Sequence, residues 1–405
     1  MTKLALMYCC RSEMRSGDLH RAMEVVRKLS DTFDVTVLLE DIASNGIKAP
    51  ASVELVFLPA LGIDPDTNVI DIGHSQELGE RLIARRDAMV RVFERIKPRI
   101  VAIESFPFKQ QGLSGEVLPL VERARSGVHG DALVVCMTDG ILADGNNRRG
   151  ESRADKAAEV LDRYFDMVVI ETDPVFARLE EFFRPRNALH TPLYHTGFVS
   201  RGGIGPAASK DLKPDTILVS AGDGEHGGPL FRAAIEAHNI LGPTLPLPMK
   251  VVTGQHLPED EWQELLALAD GLSKLVLERK VADLRAEIAM ARWSVSQCGY
   301  NTAVNAITTR TPSLFVPCGN GQRQVQLIRA QRLVYWGAGR LLMPHHLNGA
   351  SLANEIQQLT KFESRKVHFD LNGAANAAHL ISQVAYHNDF TAVFPRPSSE
   401  NTRSH

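Results

Sequence analysis

Two glycine-rich stretches in the second half of the chain carry residue types that can hold an anion. The first reads SAGDGEHGG (220–228) and the second reads SQCGYNTAVN (296–305). Each follows a short apolar run typical of a buried strand and precedes a helical pattern. Gly222, Gly224 and Gly299 permit tight turns and close backbone approach, and the first turn of a helix has N–H groups without helical partners. Both stretches predict phosphate binding. For the stretch at 220–228, a tight turn with no ligand is an equally good interpretation.

Acidic side chains in the first half lie at the ends of strand-like runs. Glu104 closes RIVAIE (99–104), and Asp139 follows ALVVCMT (132–138). Ligands of open α/β sheets bind at the carboxyl ends of the strands. Both carboxylates are therefore candidates for binding hydroxyl groups, and a turn or helix cap is the alternative for each.

Two basic stretches of the first half are predicted to be solvated. The segment GNNRRGESR (145–153) reads as a polar loop, with contact to a phosphorylated or lipid headgroup as its alternative. One long helical pattern is predicted to expose its arginines on a charged face, namely Arg81, Arg85, Arg86, Arg91 and Arg95.

The elements that position these residues alternate between strand and helix patterns. Strands are predicted at 4–10, 35–40, 53–58, 99–104, 132–138 and 166–171, and again at 216–220, 250–253, 274–277, 294–298 and 313–317. Helices are predicted at 19–29, 76–96, 113–125, 153–163, 175–183, 229–239, 259–269, 282–291, 302–308, 325–336 and 373–386. Apolar strands separated by helices indicate parallel sheets covered on both faces.

The alternation is interrupted once, at RGGIGPAASKDLKP (201–214), where glycine, serine and proline replace the periodic pattern. This composition predicts an interdomain linker. The predicted organisation is a first domain at 1–200, a second at 215–371, a last helical segment at 372–390 and a disordered tail at 391–405.

The composition excludes several functional classes. The 405 residues have ordinary apolar and charged fractions, and the net charge of −3 argues against a nucleic-acid binder driven by bulk charge. No apolar run reaches the roughly 18 residues that span a bilayer. The five cysteines include no CxxC pair for zinc. We expect a cytoplasmic protein with no metal and no transmembrane segment, with peripheral contact at the inner face of the membrane left open.

A series of motifs in the second half resembles a known family. The order is Gly222-x-Gly224, CGYNT (298–302), TPSLFVP (311–317) and QLIRA (326–330). It is similar to the C-terminal half of GT-B glycosyltransferases, above all the family 28 group that includes the peptidoglycan N-acetylglucosaminyltransferase. In the first half the segments ESFPF (104–108), TDG (138–140) and YHTGFV (194–199) extend the resemblance.

The resemblance implies an α/β fold of two Rossmann-like doubly wound domains facing a cleft, with the last helix crossing back to the first domain. It implies metal-independent sugar transfer from a nucleotide-sugar donor, with a UDP-sugar favoured and no other cofactor. Gly222 and Gly224 would lie near the donor pyrophosphate, Val281 would offer backbone groups to the nucleobase, and Gln326 would contact the sugar. The donor phosphates would meet the start of the CGYNT helix at Gly299, Tyr300, Asn301 and Thr302.

Two positions depart from the family's pattern. Asn305 stands where the family has a glutamate that accepts from both ribose hydroxyls, and an amide makes these bonds without charge assistance. Asp18, after Gly17, stands where the family has its catalytic histidine. Asp18 can serve as the base that takes the acceptor proton, or as a helix N-cap. His20 is the rival base, with an ordinary exposed or core histidine as its alternative.

The sequence therefore predicts a glycosyltransferase that acts on a saccharide, lipid-linked or small-molecule acceptor. Gly17, Glu104 and Asp139 are predicted on the acceptor side, with Asp18 or His20 as base. A nucleotide-sugar hydrolase or epimerase on the same fold is one alternative. A non-catalytic, donor-binding partner of a heteromeric transferase is another, because Asp18 and Asn305 replace functional family residues.

Overall fold

The structure is a computed structural model, and it describes residues 2–10, 16–40, 49–59, 75–108, 114–130, 132–142, 148–201, 216–318 and 323–390. The chain divides into two compact units. The first comprises Met1–Ser200 together with Phe369–His405, and the second comprises Arg201–His368. The predicted linker beyond Arg201 and the predicted tail at 391–405 lie outside the described residues.

The first unit is built on a seven-stranded parallel sheet with the order β3-β2-β1-β4-β5-β6-β7. All residues of the strands β4, β5 and β6 are buried, which explains their continuous apolar sequences. The elements of this unit, in chain order, are β1 (Leu4–Cys9), α1 (Ser16–Leu29), β2 (Phe33–Glu40), β3 (Glu54–Leu58), α2 (Ser75–Ile96), β4 (Ile100–Glu104), α3 (Ser114–Arg125), β5 (Leu133–Thr138), α4 (Arg148–Tyr164), β6 (Met167–Ile170) and β7 (Leu193–His195).

The predicted helix at 175–183 is wrong, because the structure has only a 3₁₀ turn at Leu179–Glu181. The backbone N–H of Val175 donates to Asp173 Oδ1 at 2.8 Å, so the aspartate side chain starts a local turn in place of a helix. The predicted loop at 145–153 is also partly wrong, because α4 already begins at Arg148.

The prediction that the arginines of α2 are solvated is wrong for Arg85, because its side chain is only 1% exposed. Its Nε donates to Glu116 Oε2 on α3 at 2.7 Å, and its Nη1 donates to the carbonyl of Pro59. Glu116 is itself buried. Arg85 and Glu116 therefore form a buried ion pair that joins two helices of the first unit, and the charge pattern alone does not reveal this partner.

The second unit is built on a six-stranded parallel sheet with the order β10-β9-β8-β11-β12-β13. Its elements are β8 (Ile217–Ser220), α5 (Gly228–Leu241), β9 (Met249–Val252), α6 (Glu259–Ala269), β10 (Leu275–Glu278), α7 (Leu284–Met290), β11 (Trp293–Ser296), α8 (Tyr300–Thr309), β12 (Ser313–Phe315), α9 (Arg323–Tyr335), β13 (Arg340–Leu341) and α10 (Gly349–Leu359). The sequence pattern does not reveal β7, β13 or α10. The two strands are very short, and α10 buries Leu352, Ile356 and Leu359 against the core of this unit.

A late segment of the chain completes the first unit. Helix α11 (Gly373–His387) packs against α1, and the ring of Tyr386 stacks on that of Phe33 with centroids 5.7 Å apart. The preceding residues pair with the end of the first segment, since the N–H of Phe198 donates to the carbonyl of Asp370 at 2.7 Å. Phe369 joins Phe176 and Phe198 in an aromatic cluster with centroid separations of 5.1–5.9 Å.

None of the described helices is both long and apolar enough to cross a membrane.

The aromatic cluster generates a stability prediction. Phe198 is 1% exposed, so Phe198→Ala should lower the free energy of unfolding of the first unit by about 3–5 kcal/mol. Val175→Ala is the control, because Val175 is 53% exposed and should change stability by no more than about 0.5 kcal/mol. Urea unfolding measures both, and equal losses in the two variants would contradict the packing described.

Candidate functional site

One edge of the first sheet gathers carboxylates around a single arginine. Glu104 ends β4, Asp139 follows β5 and Glu171 follows β6, so these parallel strands deliver three carboxylates to the same edge. Arg21 and Asp18 come from the first turns of α1. These five residues are called the Arg21 cluster. Ligands of open α/β sheets bind at this edge, which makes the cluster a functional-site candidate.

The nitrogens of the Arg21 guanidinium contact all four carboxyl groups of the cluster. Nε lies 2.5 Å from Glu171 Oε2, and Nη2 donates to Glu104 Oε2 at 3.1 Å. Nη1 donates to Asp18 Oδ1 at 3.1 Å and lies 3.9 Å from Asp139 Oδ2. The planar guanidinium thus bridges α1 and the ends of three strands, a geometry that a lysine ammonium does not reproduce.

Asp18 is more exposed to solvent than the other members of the cluster. The side chains of Arg21, Glu104 and Glu171 are at most 1% exposed, and that of Asp139 is 6% exposed. The side chain of Asp18 is 30% exposed. Asp18 is therefore the cluster carboxylate that a ligand in solvent can reach most readily, and the others form its buried support.

The charges of the cluster perturb its pKa values because one guanidinium faces four carboxyl groups. Burial, and then repulsion from Glu104, Asp139 and Asp18, raise the pKa of Glu171 to about 8. Burial also raises the pKa of Glu104, although Arg21 opposes that rise. Burial alone would lower the pKa of Arg21, but the carboxylates hold it well above its ordinary value. At neutral pH Glu171 therefore carries a proton.

The network extends to Tyr8 on β1. The hydroxyl of Tyr8 donates to Glu104 Oε1 at 2.5 Å, and burial followed by the nearby carboxylates raises the pKa of Tyr8 well above its ordinary value. Among the described residues no group of three or more acidic, histidine or cysteine side chains is arranged to hold a metal ion. The buried cation that contacts these carboxylates within the described residues is the guanidinium of Arg21.

The structure brings together three predicted residues of the first half, Asp18, Glu104 and Asp139. The N-cap alternative for Asp18 fails because α1 begins at Ser16, two residues earlier. Gly17 and His20 are half-buried on the same helix. Their functional roles, like that of Asp18 as a base, stay predictions.

Sequence reasoning missed Arg21, Glu171 and Tyr8. Glu171 ends a predicted strand just as Glu104 does, so the same rule would have found it. Arg21 lies three residues after Asp18, the spacing of a helical ion pair, but this spacing does not reveal its partners on the strands.

The second unit places the two glycine-rich turns at the ends of neighbouring strands. Strands β8 and β11 pair directly, with Ser220 in register with Ser296. Helix α5 starts after the first turn with Gly227 as its N-cap, and α8 starts after the second with Gly299 as its N-cap. Both N-cap residues are glycines, so neither provides a side-chain hydrogen bond to the first turn of its helix.

The first turn requires glycine at one position in particular. Gly224 has φ +94°, and a Cβ placed there would lie 2.0 Å from the carbonyl oxygen of Thr253. Gly222 also has positive φ, at +61°, but open space around it. The side chain of Gln297 donates to the carbonyl of His226 at 2.9 Å, which ties the second turn to the first.

Two buried hydroxyls lie at these strand ends. Ser220 and Ser296 are each 1% exposed, and neither hydroxyl has a hydrogen-bond partner within the described part of the chain. Because their positions are in register, both side chains lie on the same face of the sheet. Unsatisfied buried hydroxyls are costly, so this pair at two adjacent strand ends is a candidate for contact with a ligand.

Three further residues predicted to bind the nucleotide-sugar donor are packed within the second unit. Gln326 is buried, and its Oε1 accepts from the N–H of Cys318 at 2.9 Å. Val281, after β10, packs against the small apolar group of Leu218 and Ile288. Tyr300 is buried, with the guanidinium of Arg329 5.8 Å from its ring centre.

Three more predicted donor residues lie on α8. Asn301 and Thr302 are half-buried in its first turn, and Asn305 is half-buried one turn later. That these residues of the second unit bind a nucleotide-sugar donor stays a prediction.

The raised pKa of Glu171 generates a pH prediction. Between the ordinary carboxyl pKa of 4.5 and about 8, the folded chain keeps a proton on Glu171 that the unfolded chain has lost. Its contribution is therefore fully present below about pH 4.5 and is lost as the pH rises through about 8, with a slope of up to about 1.4 kcal/mol per pH unit.

Glu171→Gln should remove that slope. We expect the stability of the wild type, relative to Glu171→Gln, to fall between about pH 6 and about pH 7.5 in urea unfolding. Glu159→Gln is the control, because Glu159 is exposed and this variant should keep the wild-type slope. Parallel pH curves for wild type and Glu171→Gln would contradict a protonated Glu171.

Structural comparison finds solved structures that share this arrangement of elements. CalG4, the calicheamicin glycosyltransferase, matches with a TM-score of 0.63 and 16% identity, over 97% of this chain and 100% of its own. MurG from Acinetobacter baumannii matches with a TM-score of 0.59 and 16% identity, over 94% of this chain and 99% of its own. A UDP-N-acetylglucosamine 2-epimerase matches with a TM-score of 0.59 and 12% identity, over 98% of this chain and 100% of its own. No protein-family model and no curated protein matches the chain.

At such low identities these likenesses show the fold alone. They extend over nearly the whole chain, and they accord with its two parallel sheets flanked by helices. The architecture predicted from the sequence is confirmed: the chain has the GT-B fold, with two doubly wound Rossmann-like units, as its resemblance to the family 28 glycosyltransferases implied.

Proposed function

We propose that the protein is a glycosyltransferase that moves a sugar from a nucleotide-sugar donor to an acceptor hydroxyl. The observation that carries this proposal is the donor-side geometry of the second unit. The helices after β8 and β11 begin at glycine N-caps, which offer no side chain of their own to the first turn, and the buried hydroxyls of Ser220 and Ser296 lie in register on those two strands. N–H groups at helix starts and serine hydroxyls are donors suited to a diphosphate.

The proposed role of this geometry is to stabilise the departing nucleoside diphosphate. The bond between the sugar C1 and the diphosphate oxygen breaks as the bond to the acceptor oxygen forms. Negative charge then develops on the diphosphate, and donors fixed in advance stabilise that charge without reorganisation. We propose that this stabilisation operates without a required divalent cation, so activity should persist in the presence of a chelator.

We propose Asp18 as the base that accepts the proton of the acceptor hydroxyl. Its side chain is 30% exposed at the carboxyl edge of the first sheet, whereas the other carboxylates of the Arg21 cluster are buried. A base must reach the hydroxyl within hydrogen-bond distance, which favours the exposed member of the cluster. His20 is the rival on the same helix.

A second candidate function is supported by the likeness to a UDP-N-acetylglucosamine 2-epimerase. In a nucleotide-sugar epimerase or hydrolase the same donor site would serve, and an enzyme base or water would replace the acceptor. Product analysis separates the candidates: a glycosylated acceptor indicates transfer, an altered sugar indicates epimerisation and a free sugar without acceptor indicates hydrolysis.

Nucleotide binding tests the donor site first. In a thermal-shift screen of UDP, GDP, TDP, ADP and CDP with their sugar conjugates, we expect one nucleotide to raise Tm, because a ligand of the folded state stabilises it. Ser220→Ala and Ser296→Ala should each weaken that binding about tenfold, since each removes a hydrogen bond to a charged group.

Ser294→Ala is the matched control for this screen. Ser294 is equally buried, at 1% exposed, but lies earlier on β11 and should leave the affinity unchanged. The absence of a shift with every nucleotide would overturn the donor site. Nucleotide binding without turnover until another protein is added would instead favour the non-catalytic partner.

The base is tested by Asp18→Asn, which keeps the shape of the side chain and removes its ability to take a proton. With the donor found above and a panel of acceptors, kcat should fall at least about 100-fold while donor affinity is unchanged. Asp31→Asn, at an exposed turn of the same unit, should retain wild-type kcat. Full activity in Asp18→Asn would eliminate this base and direct attention to His20.

A further inference from the structure

We propose that Arg21 is a positioning residue for Asp18, and that Glu171 acts through Arg21 to set how Asp18 is held. This inference rests on the proposed function, in which Asp18 is the base. Neither Arg21 nor Glu171 touches the reacting atoms, because both side chains are at most 1% exposed. Their effect reaches the acceptor only through Asp18.

Different nitrogens of the guanidinium contact the strand-end carboxyl groups and Asp18. Nε and Nη2 are held by Glu171 and Glu104, which end or follow strands β6 and β4. Nη1 is thereby directed to Oδ1 of Asp18 at 3.1 Å. The position of the Asp18 carboxylate is therefore set by the rigid sheet as well as by its own helix, and its Oδ1 is engaged by Arg21.

Charged and titratable groups from several elements face Glu171. Among the described residues they are Arg21 and Asp18 on α1, Glu104 on β4, Asp139 after β5 and the hydroxyl of Tyr8 on β1. Glu171 is neutral at pH 7, since burial and the neighbouring carboxylates raise its pKa to about 8. Within the Arg21 cluster, the positive charge of Arg21 then faces Glu104, Asp139 and Asp18 and no negative charge on Glu171.

Loss of the Glu171 proton changes that sharing. An ionised Glu171 attracts the guanidinium of Arg21 at Nε, and this weakens the hydrogen bond that Nη1 donates to Asp18 Oδ1, which leaves the Asp18 carboxylate freer to meet an acceptor hydroxyl. Coupling between two sites is reciprocal, so the charge of Asp18 must in turn favour the protonated form of Glu171. Turnover that depends on Asp18 should accordingly rise as the pH passes about 8.

The first experiment needs no turnover. Infrared difference spectra of the full chain, recorded against pH, follow the C=O stretch of protonated carboxylic acids. In the wild type we expect a buried acid to lose its proton near pH 8. The signal should be absent in Glu171→Gln and should shift to lower pH in Asp18→Asn, because a charge that raises the pKa of Glu171 is removed. A signal that survives Glu171→Gln, or ignores Asp18→Asn, would overturn the coupling.

The second experiment uses transfer from the donor identified by the binding screen. Arg21→Lys keeps the charge but replaces the fork with a point charge, so kcat should fall at least about tenfold with the donor KM unchanged. The matched control is Arg85→Lys, at another buried arginine of this unit, which is 1% exposed and paired with Glu116 at 2.7 Å. It tests whether loss of a buried guanidinium fork in itself lowers kcat, and it should leave kcat at the wild-type value.

The pH profile of kcat/KM completes the test. The limb that rises near pH 8 should disappear in Glu171→Gln and persist in Glu159→Gln. A wild-type kcat in Arg21→Lys, or an unchanged profile in Glu171→Gln, would contradict the positioning role. If the wild type turns over no donor, the proposed function fails, and the infrared titration still decides whether Asp18 and Glu171 are coupled.

Discussion

The first unit depends on the burial of one guanidinium among carboxyl groups from three strands. Removing such charges from water costs several kcal/mol per ion, and the cost is offset only when each partner is held at hydrogen-bond distance. Arg21 meets this requirement with contacts of 2.5–3.1 Å to Glu171, Glu104 and Asp18. The same requirement fixes where α1 lies against the ends of β4 and β6. An arrangement held so tightly, with one carboxylate left at its rim, is suited to presenting a reactive group in a defined orientation.

The corresponding strand ends of the second unit carry hydrogen-bond donors in place of carboxylates. They present glycine turns, helix starts and the hydroxyls of Ser220 and Ser296, and the buried Arg329 donates to the carbonyl of Cys298 at the second turn. Hydrogen-bond donors without full charge can receive an anion and release it again. Gly224 is the point at which this arrangement has least freedom, because its backbone lies against the carbonyl of Thr253. Among the described residues, the strand ends of the first unit therefore gather carboxylates, whereas those of the second gather hydrogen-bond donors, although both sheets are parallel.

Hydrophobic periodicity predicted the two α/β blocks and most of their elements, because strands buried on both faces leave continuous apolar runs. It failed where a single side chain redirects the backbone, as Asp173 does in the segment predicted to be a helix. It also failed at Arg85, since a charged residue on a helix gives no sign of a partner on another helix. At the candidate site the strand-end rule predicted Glu104 and Asp139 and extends to Glu171. Arg21 was beyond reach because its significance comes from contacts between residues distant in sequence.

The interrupted first unit has a consequence for biosynthesis. Its last segment, Phe369 onward, leaves the ribosome only after the about 170 residues of the second unit. At typical bacterial and eukaryotic elongation rates this interval is roughly 10–30 s. During that time Phe176 and Phe198 lack the Phe369 ring that covers them, and Phe33 lacks Tyr386. The N-terminal part of the first unit therefore exposes apolar surface during the synthesis of the second unit. We expect chaperones that bind nascent chains to recognise this surface.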